Sequence, residues 1–537
     1  MNQQTLSLQV DKVLRWPWET IGQFVLIGLL SFLLACWSFQ PALIFDEVHI
    51  LFYTFLLLLM CLYRPAWSFF LLVALLPLET TNLLPPTFGL ALRPYQLVTF
   101  VLALALLIQL LTKRITWPLF SLSRTDLGVA VLGFGSLLAV VGSLEPGMAF
   151  KATVILVSFM GLYAIFRYFL SQNILQGQAL IAFGIGTGIV FLIALWQNIA
   201  FLHGYRAGMV MEGRPNSTFF EADWLGFFSA LIVLLGIALV WYGFKQKYHR
   251  RHLSWFSGLV LILLLAWVVL ILTVARSAWL ATLVGMGVLF SGGVYYVYRD
   301  WWKRKLLLLT TATTMILGIV ALVLVTVSGL TRFDIQDRLS STATGEQVIT
   351  VACNTPTQLP ETISSVEVLP TYGCQHIRLE EKEILKNAGM SIQEVKRVDP
   401  NFQTRSQIYQ KTFSLIQAHW FLGIGGGNSA LVLGTDERGA GLNASNLFLE
   451  TWLSDGLVGL LALLFILGFI SMGLIHETHL GSEKHLLGLG LLFTLIVFNL
   501  FNSGMLLGIF FGLLAYLATL REESGNTVKL ETDFKIL

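Results

Sequence analysis

Charge is scarce in this chain: only 12% of its 537 residues are Asp, Glu, Lys or Arg, against about a quarter in a soluble globular domain. Hydrophobic residues make up 56% and the mean hydropathy is +0.75, more apolar surface than a water-soluble fold can cover. The net charge of +3 is too small to point to nucleic acid. Motifs for several common chemistries are missing as well. The sequence has no GxxxxGK[ST] loop, no HExxH pair, no CxxC pair and no GxSxG elbow, which removes the sequence case for an ATPase, a zinc site or a serine hydrolase.

Cysteine is rare too. Cys36 and Cys61 fall in apolar runs and read as packing residues, whereas Cys353 and Cys374 share the one long polar segment. In an oxidising compartment that second pair can form a disulfide, closing a loop of about 22 residues and contributing roughly 3 kcal/mol in the chain-entropy model. The first 20 residues, MNQQTLSLQVDKVLRWPWET, are polar, and the apolar run after them lacks a small-residue cleavage site. It reads as an uncleaved span.

What is abundant is apolar sequence in lengths suited to a bilayer, where a spanning helix needs about 20 residues. Such runs lie at about 21–39, 48–63, 66–79, 94–112, 126–143, 151–169, 178–202, 222–243, 254–274, 278–297, 305–329, 447–475, 485–500 and 502–520. The run at 66–79 is short and ends near Pro77, and the last two form a hairpin or one helix broken around Asn499 and Asn502. The expected fold is an all-α membrane protein, a polytopic bundle of about 12–14 transmembrane helices with one large extracytoplasmic loop. Its parts are a bundle at 1–329, a loop domain at 330–445, further helices at 446–520 and a tail at 521–537.

Cytoplasmic loops are enriched in Lys and Arg. Lys113-Arg114, the KQKYHRR run from Lys245 to Arg251 and the RDWWKRK run from Arg299 to Lys305 all fall on the cytoplasmic side if the N-terminus starts there. The same count places the 79–93 loop, the 203–221 loop, the turn at Arg276 and the 330–445 segment outside, and returns the C-terminus to the cytoplasm. Within the long loop are a Ser/Thr-rich stretch (RLSSTATGEQVIT) and a charged stretch from Arg378 to Arg397 that reads as helical.

Three arginines stand at outer ends of spans: Arg214 in EGRPNSTFFEADWLGFF, Arg276 in LTVARSAWLA and Arg405 in NFQTRSQIYQ. Arginine at mid-bilayer costs about 2.5–3.5 kcal/mol on insertion scales, so such residues need a reason to be there. A guanidinium makes bidentate, permanently charged contacts with phosphate oxygens. The alternative is that each arginine snorkels or pairs with a local acid such as Glu212, Glu221 or Asp223. A second feature is HWFLGIGGGNSALVLG from His419, followed from Asn443 by NASNLFLETWLSDGLVGLLALL. Its glycines allow a sharp turn or close approach to a ligand.

From about residue 130 to 520 the pattern resembles the superfamily of O-antigen ligases and Wzy-type polymerases. The resemblance rests on GRPNSTFFEADWLGFFSALI, TVARSAWLATLVG, the RSQIYQ to AHWFLGIGGGN stretch, and NLFLETWLSDGLVGLL, similar to the family's HNxxLxxxxxxG signature. It implies a multi-pass protein of the bacterial inner membrane with both termini cytoplasmic. It further implies that Arg214 and Arg276, with Arg405 as a third, hold the pyrophosphate of an undecaprenyl-linked glycan, with a glycan, lipid or protein as acceptor and neither metal nor nucleotide cofactor. Asn446, Leu449 and Gly456 match the signature, but its histidine is Ser445 here, and a serine hydroxyl cannot act as general base at neutral pH. The remaining base candidates are His419, Glu221, Asp223 and Glu450, while Ser445 and Asn446 would contact substrate. A transporter, or a non-catalytic relative that binds lipid-linked sugar, are the competing readings; transport sites lie near mid-bilayer in repeated halves, and no internal repeat is present.

Overall fold

The computed structural model describes residues 18–534, apart from 38–46, 85–90, 116–121, 206, 212, 246–252, 298–300, 332–344, 356–357, 364–365, 378–381, 399, 436–440 and 480–481. Most of the polar N-terminal stretch, all of the second basic run but Lys245, Arg299 and Asp300 of the third, Glu212 and most of the Ser/Thr-rich stretch therefore lie outside the described residues.

The first part of the chain is a run of helices: α1 (Trp18–Trp37), α2 (Glu47–Tyr63), α3 (Pro65–Leu75), α4 (Pro94–Leu111), α5 (Arg124–Val141), α6 (Pro146–Leu170), α7 (Asn173–Leu202), α8 (Ala222–Lys245), α9 (Leu253–Leu272), α10 (Arg276–Val297) and α11 (Trp301–Val327). Among the described residues nine helices are long and apolar enough to cross a membrane. Apolar on every face, such helices satisfy their backbone internally, as a bilayer demands. Proline opens α3, α4 and α6, where its missing N–H costs nothing. Ser123 and Asp126 form a reciprocal capping box at the start of α5.

Between α11 and the last three helices stands the lobe. Strands β1 (Glu346–Cys353), β2 (Thr362–Ile363), β3 (Cys374–His376) and β4 (Ser391–Val398) form one sheet in the order β2-β4-β1-β3. A 3-10 turn (Val366–Tyr372) and the short helix α12 (Lys382–Asn387) complete it. Its small core, including Ile349, Val351, Ile363, Leu369 and Val395, is its own. Cys353 faces Cys374 across β1 and β3, and the two form a disulfide. The charged stretch from Arg378 to Arg397 is thus helical only in part. Ile392, Val395 and Val398 repeat every three residues, as on a helix, but Gly389 turns the chain at φ +84. Residues 391–398 then pair along the whole of β1, from Cys353↔Ser391 to Glu346↔Val398. The ladder outweighs the local period.

The chain re-enters the bundle through α13 (Pro400–Ala418), the short α14 (Ser429–Leu433), α15 (Leu447–His479), α16 (Glu483–Asn499) and α17 (Gly508–Phe534). The last pair is a hairpin of two helices joined by residues 500–507, and α17 runs on beyond residue 520. α11 ends and α15 begins at the same end of the bundle, called here the lobe end. The alternation of helices puts Lys113 and Arg114 after α4, Lys245 at the end of α8 and Lys303 to Lys305 at the start of α11 at the far end. There Arg167, fully buried, ties three helices together. It donates to Asp126 on α5 at 3.1 Å, to Thr519 on α17 at 2.9 Å and to Glu522, while Tyr163 donates to Asp126 at 2.6 Å.

Candidate functional site at the lobe end

Arg214 stands in the loop between α7 and α8. Its Nε donates to the carbonyl of Thr273 at 2.7 Å and its Nη2 to Asp223 Oδ1 at 2.8 Å, with the side chain only 12% exposed. The pairing with Asp223 is the local acid contact that the sequence offered as the alternative to phosphate binding. The contact with Thr273 adds something the sequence did not indicate. Thr273 begins the turn between α9 and α10, whose last residue, Arg276, opens α10. The Arg214 side chain therefore reaches the turn that carries Arg276. That turn is strained, because Val274 has φ +51, a conformation costing a non-glycine residue about 1–3 kcal/mol.

The Arg214 loop is held from below by Gln197 on α7, which is fully buried. Its Oε1 accepts the backbone N–H groups of Asn216 at 3.2 Å and Ser217 at 2.7 Å, and its Nε2 donates to the Ala207 carbonyl at 3.3 Å. Ala207 and Ser217 are themselves left-handed, at φ +49 and +50. From the other side the 77–80 segment is laced to the loop. The Thr218 carbonyl accepts from the N–H groups of Glu79 and Thr80, each at 3.0 Å, and the Thr218 hydroxyl donates to the Pro77 carbonyl at 2.8 Å.

The loop at 500–507 is the hub of this end. Arg405 on α13 donates to the Phe501 carbonyl at 3.3 Å, Asn446 Nδ2 to the Leu500 carbonyl at 2.9 Å, and Asn502 Nδ2 to the Ser277 hydroxyl, beside Arg276, at 3.1 Å. At its other end Arg93 donates to the Leu506 carbonyl at 3.2 Å, and Glu79 accepts the Gly508 N–H, at the start of α17, at 2.9 Å. Arg93 and Glu79 are ion-paired at 2.7 Å, and the Tyr95 hydroxyl donates to Glu79 at the same distance. Phe220 covers the Arg93 guanidinium at 5.2 Å. Gly504 has to be glycine, since a Cβ there would strike the ring of Trp224, next to Asp223.

Asn446 is the N-cap of α15: its Oδ1 accepts from the N–H groups of Phe448 at 2.9 Å and Leu449 at 3.1 Å. Ser445 before it is left-handed, φ +48, with its N–H on Asn443 Oδ1 at 2.8 Å. Glu450, one turn in, accepts from the Ser429 hydroxyl at 2.5 Å and the Ala444 N–H at 2.7 Å. It joins α14, the 434–446 segment and α15.

The glycine-rich turn serves backbone docking. Gly423, Gly425 and Gly427 have φ of +74, +86 and +78. The Ile424 and Gly425 N–H groups donate to the carbonyls of Leu453 and Ser454, and Leu457 N–H to the Phe421 carbonyl, at 2.7, 3.1 and 3.0 Å. α15 breaks at Gly456 (φ 68, ψ −166) to receive this turn, and a Cβ on Gly456 would collide with the Phe421 carbonyl. His419 lies at the head of this turn, about 20 Å along α13 from Arg405 at 1.5 Å per residue.

The sequence's site residues thus divide. Arg214, Arg276, Arg405, Asp223 and Asn446 gather around the Thr273 turn and the 500–507 loop, with Glu221 two residues from Asp223. His419 and Glu450 stand at the α13–α15 junction. Gln197, Glu79 and Arg93 were missed, although the position of Glu79 and Arg93 at either edge of a short expected outer loop was available as a signal.

This architecture, apolar helices crossing from end to end with a polar site and a soluble lobe at one end, defines a multi-pass membrane protein. Residues 259–464 match the family model described as O-Antigen ligase, which agrees with the superfamily that the chain's motifs resemble. The match runs from α9 through the lobe into α15 and includes Arg276, Arg405, His419, Ser445, Asn446 and Glu450; Arg214 and Asp223 precede it. No curated protein matches the chain.

Proposed function

We propose that this protein transfers or polymerises an undecaprenyl-pyrophosphate-linked glycan at its lobe end, and that this end faces away from the cytoplasm. The observation that carries the reading is the hydrogen bond from Arg214 to Thr273, which joins the Arg214 loop to the turn bearing Arg276. The Arg405 and Asn446 contacts on the adjoining 500–507 loop support it. In the reaction an acceptor hydroxyl oxygen bonds to the anomeric carbon. The bond from that carbon to the pyrophosphate oxygen breaks with its electron pair, and the acceptor proton passes to a base. The arginines stabilise the departing pyrophosphate, and strained turns locked by Gln197 and Asp223 preorganise them for it. Asp223 pairs with Arg214 and Glu221 stands two residues before it in the chain, so we assign the proton acceptor to one of these two carboxylates. The basic residues at the far end support the orientation.

Loss of a charged hydrogen bond in a desolvated site costs about 1.5–3 kcal/mol, or roughly ten- to a hundredfold in rate per contact. Arg214→Ala and Arg276→Ala should each abolish detectable glycan transfer in cells while protein abundance, followed by immunoblot, stays nearly constant. Full activity in both single arginine variants overturns the proposal.

A further inference from the structure

A cavity of about 170 Å³ lies away from this site, between α8, α10, α11 and α16. Its walls are apolar, formed by Leu289, Phe290, Leu307 and Leu487 among others, and Ala238 lies at its α8 side. Helix direction places it at the far end: Trp241 and Tyr242 precede the end of α8, and Glu483 and Lys484 open α16. An apolar cavity of about 150 Å³ holds a benzene ring. This one therefore accommodates about six carbons of a hydrocarbon chain.

Two further features say what kind of chain. Trp241 lines the cavity, and its indole N–H is buried with no acceptor among the described residues, an arrangement that costs free energy unless something else accepts from it. Lys484 lines the cavity beside Glu483. On α11, Lys303 and Arg304 precede Leu307 by four and three residues, which puts them on the same helical face one turn further toward the far end. The mouth is therefore positive on balance. Basic pockets between transmembrane helices bind anionic lipid head groups, and an ester or phosphate oxygen at the depth of Trp241 is an acceptor for its N–H.

We infer that this cavity binds one anionic phospholipid, with part of an acyl chain between α8 and α10, an ester oxygen on Trp241, and the head group against Lys484, Lys303 and Arg304. The site is independent of glycan transfer, and its test needs no turnover.

Purified full-length protein in detergent is incubated with equal concentrations of phosphatidylglycerol and phosphatidylethanolamine, and retained lipid is counted by native mass spectrometry. The wild type should retain phosphatidylglycerol at least fivefold over phosphatidylethanolamine. Ala238→Phe, which places a ring in the cavity, should lower retention about tenfold for both lipids. Lys303→Gln/Lys484→Gln should bring the two lipids to parity. Trp241→Phe, which keeps the ring but loses one neutral hydrogen bond, should weaken phosphatidylglycerol retention about two- to tenfold. Equal retention of the two lipids by the wild type, or undiminished retention by Ala238→Phe, overturns the inference. So does retention of added undecaprenyl phosphate in preference to phosphatidylglycerol. If Ala238→Phe does not accumulate, the double glutamine variant decides, since loss of head-group preference there is required.

Discussion

Gln197→Met tests whether the Arg214 loop is held from α7. The two side chains have similar volume, so the packing of α7 is disturbed little. What is lost is one oxygen that accepts the N–H groups of Asn216 and Ser217 and one amide that donates to Ala207. Each buried N–H left without an acceptor costs about 1–3 kcal/mol. Opening the loop re-solvates both groups and also relieves the left-handed conformation of Ser217. The free energy to open residues 207–218 should therefore fall by about 2–6 kcal/mol, which speeds amide exchange about 30-fold to more than 10,000-fold. Hydrogen exchange followed by mass spectrometry on peptides from this segment reads the change, with helix content by circular dichroism as the control. Unchanged protection at Asn216 and Ser217 in a folded variant would refute the clamp.

Asn446→Ala should destabilise the protein by about 1 kcal/mol through the lost cap of α15 and somewhat more through the lost tie to Leu500, seen as a lower melting temperature, whereas Ser445→Ala should leave both stability and glycan transfer close to wild type. A dead Ser445→Ala at normal abundance would move the chemistry to that residue. Gly456→Ala should sharply reduce folded protein, because a Cβ cannot share space with the Phe421 carbonyl; normal accumulation on gel filtration would contradict the docking of the glycine turn. Reporter fusions near residue 360 should report a non-cytoplasmic location, and a cytoplasmic signal there reverses the proposed orientation. Cys353 and Cys374 should resist thiol labelling in folded protein without reductant, and full labelling of both would remove the bond.

The helices were legible because run length and apolarity are themselves what a bilayer selects: α1 to α11 and α15 to α17 each fall on an expected span. The lobe was less so. Residues 391–398 carry a helical period yet form a strand, since their partner, β1, lies some forty residues away in sequence. Arg214, Arg276 and Arg405 stood out as charges at the ends of apolar runs. Gln197 did not, because one glutamine within a long apolar run reveals nothing of the loop it holds. The same holds for Glu79, whose contact with Gly508 joins opposite ends of the chain. The glycine run was visible, but its purpose depended on the break at Gly456, which a run of leucines conceals.

α13 crosses the lobe end for about 28 Å at 1.5 Å per residue, and it is borne at both ends. Arg405 rests on the Phe501 carbonyl near its start, and the glycine turn after Ala418 is bonded into the break of α15. The sheet upstream buries its apolar side chains among its own members. A beam fixed on two supports isolates what lies beneath it from what is attached beyond it. Insertions, deletions or exchanges within residues 346–398 should therefore alter the lobe's own surface without shifting the arginines.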